Sequence, residues 1–148
     1  MTELLIGILM MLMGQADLDR RGALAMGFDQ QKTTHTFVST ASGGSIEVRA
    51  NEADDAESTR QIRTHLAEIA KAFAAGDFTT PFQTHGEVPP GVPGMRRLKG
   101  VISYEYAEAP RGAIVRIATK DPAALAAVHE FLAYQRREHS TPTNRAPD

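Results

Sequence analysis

His35-Thr36-Phe37-Val38-Ser39-Thr40, then Ser42-Gly43-Gly44-Ser45, then Ile46-Glu47-Val48-Arg49-Ala50 is the stretch that decides the fold. Its first part is rich in threonine, valine and phenylalanine, which suit a pleated, half-buried strand. Its middle is a turn signal. Its last part alternates apolar and polar residues with period two. Together they read as a β-hairpin with one buried face.

Working outward, residues 51–58 are polar and acidic, as befits a loop and a helix start. Ser58 with Gln61 fits a capping box, and Asp54 or Asp55 is an alternative cap. Ile62, Leu66, Ile69 and Phe73 then recur at helical spacing, so one helix face is apolar. Gly76 is placed to cap the C-terminus, and Phe78 to fold back over the last turn. Residues 77–98 form a long connection with Pro81, Pro89, Pro90 and Pro93. A loop of that length in a small domain is usually functional or mobile, and this one could lid a site. Met95 to Leu98 suits an added helical turn.

The plan then repeats. Val101 to Tyr106 reads as a strand, Glu108 to Gly112 as a turn, and Ala113 to Thr119 as a second strand. Asp121-Pro122 is a strong helix start, an aspartate cap with proline at the first helical position. The helix runs to about Glu138, with Leu125, Val128 and Leu132 inward. The expected fold is α+β: two ββα units forming a four-stranded antiparallel sheet with two helices packed on one face. Residues 26–139 form the single domain, and residues 140–148 a disordered tail.

Composition bounds the chemistry. The chain has 148 residues, no cysteine and a net charge of −2. One domain fits that length. The missing thiols exclude disulfides, iron–sulfur clusters, thiolate catalysis and cysteine zinc sites. The charge supplies no global attraction to nucleic acid. Leu4 to Met13 is an unbroken apolar or glycine run, too short to span a bilayer, so no integral span is expected. It matches the apolar region of an export signal, with Gly14-Gln15-Ala16 as a cleavage site. Residues 1–25 are therefore signal-like, and the mature protein is expected to be periplasmic or secreted. The alternative is an upstream apolar extension, with translation starting at Met26 and a cytoplasmic product.

The candidate chemistry lies in histidines. His65 and His129 sit on the two long helices, and an offset of 64 residues aligns them. Each has a nearby glutamate, Glu68 or Glu130, able to orient an imidazole. His65 borders the first apolar stripe, and His129 lies inside the second. Across a pseudo-twofold axis such a pair could ligate copper or haem iron. His35, His85 and Met95 are candidates to complete the shell. His139, near the tail, is the weakest candidate. The bland alternative is that each histidine is a packed, hydrogen-bonded core residue.

Other motifs carry less. Gly91-Val92-Pro93-Gly94, followed by Arg96, Arg97 and Lys99, has the glycine spacing of a nucleic-acid clamp, but its prolines are wrong for opening a helix. It reads as a solvated turn, and no nucleic-acid partner is expected. Tyr104 and Tyr106 share one strand face, more suited to packing than to stacking bases.

Several segments resemble a small uncharacterised bacterial family. They are Met26-Gly27-Phe28-Asp29-Gln30, Lys32-Thr33-Thr34-His35, the strand from Gly43 to Val48, Ala75-Gly76-Asp77-Phe78, and the helix from Asp121 to Leu132. The resemblance covers about residues 26–139 and implies export. Some members carry the label aspartate carbamoyltransferase. Physics opposes that label, because the catalytic chain needs two α/β domains and the regulatory chain a four-cysteine zinc site. The expected function is a small exported binding module holding a metal or haem through histidines. The alternatives are a cofactor-free interaction domain, as a homodimer or with a protein partner, and a histidine-dependent hydrolase or isomerase.

Overall fold

A computed structural model describes residues 28–81 and 86–139. The export signal and the tail expected from the sequence lie outside the described residues. So does His85.

The described residues build four strands and two long helices. Strands β1 (Thr33–Thr40) and β2 (Gly43–Ala50) form the first hairpin, followed by α1 (Ala56–Ala74). A short helix α2 (Val92–Arg97) leads to β3 (Ile102–Ala109), β4 (Gly112–Thr119) and α3 (Pro122–Glu138). The strands form one antiparallel sheet in the order β1-β2-β4-β3. This is the α+β architecture of paired ββα units read from the sequence. Among the described residues, no helix is long and apolar enough to cross a membrane.

The two hairpins obey a twofold relation. An offset of 69 residues carries Thr33 to Ile102 and Gly43 to Gly112, and the strand pairing is unchanged by it. Ile46 therefore pairs with Val115, its own counterpart. Phe37, Ile46, Val115 and Tyr106 make one row across all four strands. Period-two alternation turns this row toward the helices. Tyr104 and Tyr106 also pack against the core. They are not on the open sheet face.

The helices exchange places. α1 packs chiefly on β3 and β4, whereas α3 packs on β1 and β2. Each helix thus covers the strands of the other unit, and neither unit has a core of its own. Ile62, Leu66, Val48, Val115, Val128 and Phe131 are each no more than 1% exposed. Each such side chain contributes roughly 1.5–3 kcal/mol of burial.

Local chemistry fixes the helix ends. Asp55, not Ser58, caps α1, its carboxylate accepting from the Ser58 N–H at 3.0 Å. Ser58 then lies inside the first turn and is buried. Hydrogen bonding to Ser58 holds the Asp55 carboxyl below the usual carboxylate range. At the other end Gly76 takes a left-handed φ of 79°. Phe78 folds back as expected, 4.5 Å from Phe73 between ring centroids. In α3, Asp121 accepts from the Ala124 N–H at 2.9 Å. Val128 and Leu132 of α3 lie inward as expected, joined by Ala124, Ala127, Phe131, Tyr134 and Gln135, while Leu125 is only half-buried.

The long connection is built rather than loose where it is described. Met95 is fully buried and α2 packs on α3. A Cβ on Gly91 would lie 2.2 Å from the Ala127 carbonyl oxygen, so this glycine serves close helix packing. The glycine spacing that resembled a nucleic-acid clamp is explained by that contact.

Candidate functional site

The structure places the histidines differently from the sequence pattern. The helix caps Asp55 and Asp121, and the buried pairs Ile62 with Val128 and Leu66 with Leu132, share an offset of 66 residues. At that offset the counterpart of His65 is Phe131, not His129. The 64-residue alignment is thus two residues out of helical register, which is about 200° around the axis.

His129 lies on the flank of α3, and its Nε2 is 2.7 Å from the Thr40 carbonyl oxygen at the first hairpin turn. His65 meets Phe28 edge-on at 6.0 Å, and its Nδ1 is 3.6 Å from Glu68 Oε2. Phe28 also stacks on His35 at 5.9 Å, close to the start of β1. From His35 to Thr40 the strand rises roughly 17 Å. His65 and His129 therefore attend different ends of β1. Met95 is packed in the core cluster. Among the described residues, no group of three or more histidine, aspartate or glutamate side chains could hold a metal ion.

What the fold does bring together is His35 and His139. Their ring centroids are 5.3 Å apart and their planes 23° apart. Phe37 lies 5.5 Å from His139 and 6.3 Å from His35. His35 is 9% exposed, and burial lowers its pKa to about 4. Its imidazole is accordingly neutral at pH 7.

This stack borders a pocket with a cavity volume of about 50 Å3. Leu66, Ile69 and Phe73 of α1 form an apolar wall, with Phe131 and Ile46 beside them. Gln30, His35, Gln135 and His139 supply polar groups from the approach to β1 and the end of α3. Thr80 and Pro81 of the long connection also line it. The amide Nε2 of Gln30 is buried and has no hydrogen-bond partner among the described residues. Among the described residues, none that lines it is Asp, Glu, Lys or Arg.

Twofold symmetry shows why the pocket is lopsided. Ile69 and Gln135 are counterparts at the helix offset, as are Phe73 and His139. One helix brings the apolar member of each pair and the other the polar member. Gln30 and Gln135 carry no metal-site or catalytic signature, so sequence reading passed over them. His139 ranks lowest in the sequence because it adjoins the expected polar tail, although the helix ends at Glu138 as expected and His139 is its C-cap residue. The +4 spacing from Gln135 to His139 on one helix face was the available signal.

No protein-family model, curated protein or solved structure matches this chain.

Proposed function

We propose that this protein is a small binding module whose site is the pocket between α1 and α3 at the His35–His139 stack. One observation carries the reading: an open apolar cavity meets five hydrogen-bonding side chains, those of Gln30, His35, Thr80, Gln135 and His139. Binding sites have this form, mostly apolar with a few convergent polar groups. The test is an NMR titration of the isotope-labelled full chain with single-ring fragments. The expected shifts centre on His35, Gln135 and His139 and disappear when Ile69→Phe fills the cavity. Shifts mapping to another surface overturn the assignment.

A second reading keeps copper or haem iron on imidazoles, now on His35 and His139 rather than on His65 and His129. Their ring contact favours it, and His65 lies just beyond Phe28. Imidazole lone pairs lie in the ring plane. Two nearly parallel rings aim their nitrogens side by side, so one ring must turn before both reach a single ion. Titration with Cu(II), followed by visible absorption, tests this. The reading requires that His35→Phe or His139→Phe abolish a signal that His129→Ala leaves intact.

A further inference from the structure

We infer that the pocket's ligand is an uncharged, amphipathic molecule of about one ring's size, anchored by a carbonyl-type acceptor that receives a hydrogen bond from Gln30. The inference rests on the binding-module reading above and specifies the ligand.

Three observations lead to it. The first is charge. Among the described residues, the lining holds no acidic or basic side chain apart from its histidines. Of these, His35 is buried and stays neutral at pH 7. A carboxylate or ammonium ligand would lose its hydration with no permanently charged side chain among the described lining residues to offset the loss, which is costly. The second is the buried Gln30 amide. A buried donor without a partner is costly. Gln30 also lines the pocket, so a turn of its side chain that brings Nε2 to a ligand carbonyl or amide oxygen would relieve that cost, whereas a purely apolar ligand would leave it in place. The third is the division of the walls. Leu66, Ile69 and Phe73 face the cavity from α1, while Gln135 and His139 face it from α3. A ring with one polar substituent matches both sides at once. The cavity volume of about 50 Å3 allows little more than that.

The experiment compares four probes of nearly equal shape on the full chain at pH 7: benzamide, benzoate, benzylamine and fluorobenzene. Affinities come from NMR titration in the millimolar range natural to fragments. Benzamide is expected to bind about tenfold more tightly than benzoate or benzylamine, with shifts at Gln30 and His139. Gln30→Leu should weaken benzamide about tenfold and leave fluorobenzene unchanged or slightly tighter. Benzoate binding as well as benzamide overturns the uncharged-ligand inference while the pocket reading stands. Equal affinity for benzamide and fluorobenzene overturns the role of Gln30. Failure of all four probes to shift the pocket resonances overturns the pocket reading itself, and the inference with it.

Discussion

The imidazoles of His35 and His139 stack 5.3 Å apart where the other half of the molecule holds Tyr104 against Phe73. The hairpin offset carries His35 to Tyr104, and the helix offset carries Phe73 to His139. In the second setting the rings meet edge-on at 5.9 Å, and Phe78 stacks on Phe73 to fill the space beside them. In the first, two smaller heteroaromatic rings border a cavity. The fold thus uses one position twice, once closed by hydrocarbon and once left open with hydrogen-bonding rings.

Stability should fall in mild acid because of His35. Its pKa drops from the ordinary 6.5 to about 4 through burial. Between those values the unfolded chain takes up a proton that the native chain refuses. The stabilising difference is therefore complete above pH 6.5, declines as pH falls, and is exhausted near pH 4. Its size is on the order of 3 kcal/mol. Urea midpoints measured from pH 4 to 7 should show this slope, and His35→Phe should flatten it. An NMR titration that finds His35 protonating near 6.5 contradicts the prediction.

Why the sheet was legible and the pocket was not follows from particular residues. Ile46 to Ala50 and Ala113 to Thr119 record a half-buried strand in their own alternation, and Asp121-Pro122 marks a helix start without tertiary help. These signals are local. Which hairpin each helix covers is not local. It depends on how α1 and α3 cross the sheet, and nothing in Ile62 or Leu66 encodes β3 rather than β1 as the neighbour. Matching His65 to His129 failed for a related reason. Two helices can be aligned on any shared residue, but only the caps Asp55 and Asp121 set the true register. Gln30 gains meaning only from burial.

Gly43 and Gly112 should tolerate no side chain. They are counterparts at opposite ends of the β2–β4 pairing. A Cβ on Gly43 would lie 1.9 Å from the Ile117 carbonyl oxygen, and one on Gly112 would lie 1.9 Å from that of Val48. Relief requires the two central strands to part. Gly43→Ala and Gly112→Ala should each cost more than about 3 kcal/mol in urea unfolding. Gly100→Ala is the control, since a Cβ there meets nothing within 4 Å. It should change stability by less than about 0.5 kcal/mol.

Met95 separates packing from ligation. Its side chain is fully buried in the core cluster. Met95→Leu conserves volume and should cost under about 1.5 kcal/mol. Met95→Ala opens a cavity and should cost about 2–5 kcal/mol. A thioether ligand would respond otherwise, because leucine has no donor atom. Cu(II) binding unchanged in Met95→Leu fits the packing role, and its loss would put sulfur in a metal site.

His129 and His139 should dissociate in their effects. His129 Nε2 holds the Thr40 carbonyl oxygen at 2.7 Å, tying α3 to the first hairpin turn. His129→Ala deletes one partly exposed hydrogen bond, so a loss of about 1 kcal/mol is expected. Amide exchange should quicken at the turn between β1 and β2. Ligand affinity at the pocket should not move, since Thr40 lies roughly 17 Å along β1 from His35. His139→Ala should do the reverse. It removes a ring that stacks on His35 and lines the cavity, so pocket affinity falls while exchange at the turn stays slow. Fragment titration and hydrogen exchange on the two variants decide the matter. If His129→Ala abolishes binding, the site belongs on the flank of α3, and the assignment to the His35–His139 pocket fails.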